Sequence, residues 1–182
     1  MEQKNINVVY AADDNFIPVM GVSIVSLLKN NRDMSNINVT ILATNVSELN
    51  KQKVNDLFNK YDRHLPRWID ATNIEDTLGQ KVNQDRGSVS QYARIFLNDI
   101  FGEEVDRVLY LDCDTLIVDS IRNLWNINLQ GNTIAALKDS FSDKSLKLQK
   151  GKANEILFND RFNLRTFAES YINLYKELLR EK

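Results

Sequence analysis

The sequence has one cysteine and one histidine in 182 residues. A single thiol, Cys113, excludes an internal disulfide and a metal centre built from cysteines. No histidine is near it in sequence, so Cys113 reads as a small space-filling residue rather than a nucleophile. The single imidazole, His64, lies among Asp62, Arg63 and Pro66, which reads as an exposed loop and a solvated side chain rather than a ligand or base. No apolar run approaches the ~20 residues needed to span a membrane, and the opening Met-Glu-Gln-Lys-Asn has no apolar signal-peptide core. A cytoplasmic protein without a transmembrane segment is expected. An excess of charge of one sign is lacking too: the formal net charge is −2, which argues against nucleic acid as the main partner. What remains is ordinary for a soluble globular domain, with 43% hydrophobic and 26% charged residues. The length allows one domain with a real core.

The most informative stretch is R-V-L-Y-L-D-C-D-T-L-I-V-D, residues 107–119. Residues 108–111 form an apolar run of β-formers, which predicts a strand buried on both faces. It runs straight into Asp112, Cys113 and Asp114, so two carboxylates stand at a strand's carboxyl end. Ligands of open α/β sheets bind just outside those ends. In a strand or extended turn, residues i and i+2 project to one side, so Asp112 and Asp114 can aim at a common point. Like charges that close raise one another's pKa unless a cation lies between them. A hard divalent ion bound through oxygens and completed by substrate phosphates answers that need. The plain alternative is a pair of turn-forming aspartates. A D-x-D after an apolar strand also begins the haloacid-dehalogenase-type phosphatase pattern, but Leu116 stands where that pattern has Thr or Val.

The rest of the chain alternates strand and helix patterns. Residues 6–10 predict a strand that stops at Ala11-Ala12-Asp13-Asp14-Asn15. Ile17, Met20, Ile24, Leu27 and Leu28 then recur at helical spacing, with Gly21 and Ser23 small enough to approach a sheet. Capping the helix accounts for one of the three polar residues 13–15 and leaves two spare. Ile37, Val39, Ile41 and Ala43 predict a second strand, and Ser47 is placed to cap a helix carrying Val54, Leu57, Phe58 and Tyr61. Residues 65–69 predict a third strand, with Pro66 marking an edge or a strand start. The β-α-β-α order predicts a parallel sheet with helical crossovers. Ser88 is placed to cap a helix with Tyr92, Ile95, Phe96 and Ile100 on one face, and Arg94 lies on that same helix. Arg94 is either paired with an acidic neighbour or free to reach a phosphate. Residues 116–118 predict a short strand, 121–125 a turn or short helix, and 133–137 a further strand. Residues 138–152 hold five lysines and read as a solvated loop, with a lid over an anionic ligand as the alternative. Phe167, Tyr171, Leu174 and Leu178 make one apolar helical stripe, which packs on the core or meets a second subunit or partner protein. The expected organisation is a core over 1–138, a polar loop over 139–162 and an amphipathic helix over 163–182.

Ala11-Ala12-Asp13-Asp14-Asn15-Phe16, Gln91-Tyr92-Ala93-Arg94 and Val108-Leu109-Tyr110-Leu111-Asp112-Cys113-Asp114, followed by Asn123-Leu124-Trp125, resemble the family 8 retaining glycosyltransferases. The resemblance covers roughly residues 5–138. It implies an α/β GT-A fold, Rossmann-like, with a mostly parallel central sheet flanked by helices. It also implies a UDP-sugar donor, a glycan or lipid-linked saccharide acceptor, and Mn²⁺ (or Mg²⁺) held by Asp112 and Asp114. Carried over by position, Ala11, Asp13 and Asn15 match the loop around uracil and ribose. Arg94 matches the arginine on the nucleotide-sugar, and Asp112 also approaches the ribose. Polysaccharide biosynthesis, with a peripheral position at the inner face of a membrane, fits such an acceptor. The family pattern goes on to a Phe-Asn-Ala/Ser-Gly-Val strand and a His-x-x-Gly-x-x-Lys-Pro-Trp stretch. Here Phe158-Asn159-Asp160 and Phe162-Asn163-Leu164-Arg165 match the first only in fragments, and the second is not reached by Lys182. A truncated relative, impaired in catalysis and binding a nucleotide-sugar or a partner protein, is therefore the second reading.

Overall fold

The computed structural model describes residues 5–72 and 97–135, which fall in two units, one up to Ile121 and one from Arg122. In the first unit four parallel strands stand in the order β3-β2-β1-β4, with β1 Ile6–Asp13, β2 Ile37–Thr44, β3 Arg67–Asp70 and β4 Leu109–Tyr110. Between them come α1 (Ile17–Asn30), α2 (Glu48–Lys60) and α3 (Leu97–Phe101). A parallel neighbour has to be reached by a crossover, and the alternation of periods in the sequence supplies one after each strand.

β1 and β2 pair in register from Ile6 with Ile37 to Asp13 with Thr44. This central pair is buried along nearly its whole length, Thr40 and Thr44 included. The first strand therefore runs three residues past the predicted stop at Tyr10, because β2 offers a partner that far. Ala11, Ala12 and Asp13 belong to the strand rather than to a loop. β3 is the edge strand of the described sheet, as Pro66 before it suggested. The strand predicted at 108–111 shortens to Leu109–Tyr110 and is half-buried, not buried on both faces, since β1 alone flanks it among the described residues.

Helices cover both faces of the sheet. Val9, Ala11 and Leu42 form a core on one face, with Leu97, Ile100, Phe101 and Tyr110 packed against it. On the other face lies α1, whose Ser23 Oγ is 3.0 Å from the buried Tyr10 hydroxyl. The two can share a proton, and burial raises the Tyr10 pKa far above the usual phenol range. Ser23 thus does approach the sheet as expected, whereas Gly21 faces α2: a Cβ there would stand 3.7 Å from Leu57 Cδ1. α1 is buried almost all round, from Ile17 to Leu28, as befits a helix enclosed by neighbours on several sides.

Residues 115–121 cover part of α1 without being a strand. Ile117 N–H donates to Ser26 Oγ at 2.9 Å, and Ile117 C=O accepts from Asn30 Nδ2 at 2.8 Å. Ile121 N–H donates to Asn31 Oδ1 at 2.9 Å. The strand expected at 116–118 fails because helix side chains, not another strand, take its backbone groups. Met34 and Asn31, with Arg32 between them, are held from below by Arg63, whose guanidinium donates to all three carbonyls at 2.7–3.0 Å. A cation there also suits the negative end of α1.

In the second unit α4 spans Arg122–Trp125, as the short helix predicted at 121–125. Residues 133–135 form no strand and are exposed, which removes the described part of the strand predicted at 133–137. Arg94 and its helix start, the loop over 139–162 and the helix over 163–182 lie outside the described residues.

Candidate functional site

The chain leaves β1, steps outward to β2 and β3, and returns to the other side of β1 as β4. The strand order therefore reverses between β1 and β4. That is the topological switch point, where loops turn opposite ways and leave a crevice at the strands' carboxyl ends. The two sequence motifs end there: Ala11–Asn15 at the end of β1, and Asp112–Asp114 just after β4.

At the end of β1, Asp13 caps the turn that follows. Its Oδ1 accepts from the N–H groups of Asn15 at 3.0 Å and Phe16 at 3.2 Å, which fixes a 3₁₀ turn over Asp14–Phe16 before α1 begins. Asn15 and Phe16 are exposed beside it. Asp14 is not spare either. Its Oδ1 accepts from Ser47 N, Ser47 Oγ and Asn50 Nδ2, each at 2.9 Å. The Ser47 and Asn50 bonds hold its carboxyl below the usual range. Ser47 in turn caps α2 as predicted, accepting from Asn50 N–H.

Past β4, the Leu111 N–H continues the ladder to the Val9 carbonyl at 2.9 Å. The next acceptor on β1, Ala11 C=O, receives the Cys113 thiol at 3.1 Å instead of a backbone N–H. The chain is turning there, with Thr115 N–H bonded to Asp112 C=O at 3.1 Å. Asp112-Cys113-Asp114 is thus a tight turn rather than extended chain. Cys113 points in and is buried, while Asp112 and Asp114 are both exposed. Burial pushes the Cys113 thiol up to about 12, and the carboxylates of Asp112, Asp114 and Asp13 push in the same direction. Three carboxylates from the two motifs consequently act on one thiol. The thiol stays protonated, which fits the space-filling reading of Cys113 and not a nucleophile. His64 is exposed, as expected.

Asp112 and Asp114 supply oxygen donors and two negative charges at a solvent-facing turn, a donor set that suits a hard divalent cation. Among the described residues no group of three or more His, Cys, Asp or Glu could hold a metal. Further donors would come from elsewhere, a bound diphosphate included. Of the site residues predicted from sequence, Ala11, Asp13, Asn15, Asp112 and Asp114 stand at this one crevice. Asp14, together with Ser26 and Asn30 of α1 and Asn31 just after it, fixes the two loops, and the sequence marks none of them as part of a site. For Asp14, the only trace in the sequence is the acidic excess over what capping needs.

Fold and crevice define an open α/β domain with a crevice at its topological switch point. The chain belongs to glycosyl transferase family 8, whose family model matches residues 7–171. That membership overturns the phosphatase reading of the D-x-D. Similar curated proteins include a putative glycosyltransferase of Haemophilus influenzae, 31% identical over 77% of this chain and 41% of the relative. Another is the lipopolysaccharide 1,2-glucosyltransferase of Escherichia coli K12, 28% identical over 74% of this chain and 38% of the relative. Among solved structures, the galactosyltransferase LgtC in complex with donor and acceptor sugar analogues is 32% identical, with a TM-score of 0.58 over 68% of this chain and 43% of LgtC. The fold is GT-A, as in LgtC. The chain spans less than half the length of these relatives.

Proposed function

We propose that the chain is a retaining, metal-dependent glycosyltransferase that moves a hexose from a UDP-sugar to a glycan or lipid-linked saccharide acceptor. The observation that carries this reading is the junction of its two motifs. The A-A-D-D-N strand end and the D-C-D turn meet across one switch-point crevice, tied by the Cys113–Ala11 bond. A crevice of that kind suits a nucleotide, and the exposed carboxylates suit an ion that pairs with its phosphates.

In this reading Ala11, Asp13 and Asn15 contact the uracil and ribose, with Asp13 held in place by its own turn. Asp112 and Asp114 hold Mn²⁺ or Mg²⁺, and Asp112 also reaches the ribose. A bound divalent ion supplies charge neutralisation for the departing diphosphate. Arg94 adds a planar, permanently charged fork for the nucleotide-sugar. The predicted core over 1–138 carries these residues. The polar loop at 139–162 and the apolar stripe of 163–182 are assigned to covering that core or meeting a second copy or protein partner. No helix among the described residues is long and apolar enough to cross a membrane. The setting assigned is a cytoplasmic enzyme peripheral to the membrane's inner face; its work in surface polysaccharide synthesis is supported by the E. coli relative's printed name, a lipopolysaccharide glucosyltransferase.

The test is calorimetric titration of UDP into wild type and Asp112→Ala, with and without Mn²⁺. Mn²⁺-dependent binding that Asp112→Ala loses by at least tenfold is expected. Absence of binding at millimolar UDP would refute the reading.

A further inference from the structure

We propose that Asp14 is a positioning residue: its carboxylate anchors the loop carrying Asp13 and Asn15 to the start of α2, and so sets the geometry with which that loop meets a nucleotide. The inference rests on the nucleotide-binding reading of the crevice and adds a residue that the reading does not use.

One oxygen of Asp14 accepts three hydrogen bonds at 2.9 Å, from Ser47 N, Ser47 Oγ and Asn50 Nδ2. Helix capping does not explain them. The cap of the following turn is Asp13, whose Oδ1 already takes the Asn15 and Phe16 amides. The donors to Asp14 lie 33 and 36 residues further on, in the next strand-to-helix connection. Asp14 therefore links two adjacent loops along the carboxyl edge of the sheet. The linkage continues one strand further, since Asn45 N–H donates to Thr72 Oγ1 at 3.1 Å and Thr72 N–H to Asp70 Oδ1 at 2.9 Å.

The placement of Asp14 gives the link its consequence. Its neighbours on either side, Asp13 and Asn15, stand at the carboxyl end of β1 where the crevice opens, so a clamp at the residue between them restrains both. Hydrogen bonds to a carboxylate are shorter and stronger than those to a neutral acceptor, and three on one oxygen fix its position from different directions. Without the clamp, the 3₁₀ turn samples other arrangements. Apparent affinity then falls by the fraction of time the loop is competent. A drop of that fraction to one tenth weakens binding about tenfold.

The experiment compares wild type, Asp14→Ala and Asp14→Asn by UDP calorimetry in Mn²⁺, amide hydrogen exchange and thermal melting. Asp14→Ala is expected to bind UDP about tenfold more weakly at a temperature where it is fully folded. Exchange should quicken at Asn15 and Phe16 but not in the middle of β1. Asp14→Asn, which keeps an acceptor oxygen, is expected to recover most of the affinity. Wild-type affinity in folded Asp14→Ala overturns the proposal. If Asp14→Ala does not fold, Asn50→Ala removes one donor from the far side and must weaken UDP; unchanged affinity there also overturns it. If wild type itself binds no UDP, the functional reading fails, and exchange decides this proposal alone. Unaltered protection of Asn15 and Phe16 in the Asp14 variants would then overturn it.

Discussion

Asn31→Leu tests how the segment after the D-x-D is held. Asn31 is fully buried at the end of α1; its Nδ2 donates to Leu27 C=O at 2.8 Å and its Oδ1 accepts from Ile121 N–H at 2.9 Å. Leucine has a similar branched shape, so the change removes the hydrogen bonds without opening a large cavity. Ile121 N–H, itself buried, loses its acceptor, at a cost of about 1–3 kcal/mol. Leu27 C=O keeps its helical partner and loses less, about 0.5–1 kcal/mol. The sum, roughly 1.5–4 kcal/mol, is a large part of the 5–15 kcal/mol typical of a whole domain. For a chain of this size it corresponds to a fall in Tm of roughly 3–16 °C. Urea denaturation followed by circular dichroism measures it directly. Asn30→Ala is the control: Asn30 is exposed, although its Nδ2 reaches Ile117 C=O at 2.8 Å, and its loss should cost under about 1 kcal/mol. If Asn31→Leu matched wild type within about 0.5 kcal/mol, the view that α1 side chains replace a strand partner for residues 117–121 would be wrong.

Two further outcomes follow from the ionisable groups. Cys113 in the folded, metal-free protein should resist Ellman's reagent at pH 8, since the thiol is buried and bonded to Ala11 C=O; it should react at once in urea, and fast reaction in the native state would contradict the inward turn. At acid pH, Asp14 and Asp70 act together: Ser47 and Asn50 lower the first, and the hydroxyl and amide of Thr72 lower the second, from the usual 3.8. Lowered carboxyls add stability above their unfolded value and lose it as pH falls through the folded one, so the urea midpoint should drop below about pH 4. Asp70→Asn should show a shallower drop; an identical acid profile would mean that the Thr72 bonds contribute nothing.

The parts of this fold that could be read from sequence are those whose signal is local. The period of 3.6 in α1 and α2, the β-branched runs of β1 and β2, and the Ser47 cap each depend on neighbours a few residues away. The order of these elements then implied a parallel sheet, and the sheet brought Ala11, Asp13, Asn15, Asp112 and Asp114 to one crevice. The misreadings come from long-range partners. Leu116-Ile117-Val118 has strand composition, but its backbone bonds to Ser26 and Asn30, about ninety residues earlier. Gly21 suggests a close approach to the sheet but faces Leu57 of α2, because smallness does not say which neighbour needs the room. Asp14 reads as a spare polar residue in the sequence because its donors, Ser47 and Asn50, come after another strand.

These long-range bonds share one arrangement. On the β1 side of the crevice, Asp14 fastens the loop to the next βα unit. On the β4 side, Cys113 fastens the turn to Ala11, and Ser26, Asn30 and Asn31 fasten the chain beyond it to α1. Each residue proposed to meet the nucleotide or its metal is flanked by one whose side chain is engaged elsewhere: Asp13 and Asn15 by Asp14, and Asp112 and Asp114 by Cys113. Alternation of this kind restrains the turn at Asp112 and Asp114 while their side chains stay exposed to solvent. It also separates two kinds of variant. Replacing Asp112 should abolish metal-dependent binding while leaving stability nearly intact, because its side chain is exposed. Replacing Cys113 by the larger Leu should disturb the turn and the core together, lowering Tm and metal-dependent UDP affinity in parallel. If Cys113→Leu lowered Tm and left that affinity at the wild-type value, the inward thiol would be packing alone, with no part in holding the two aspartates.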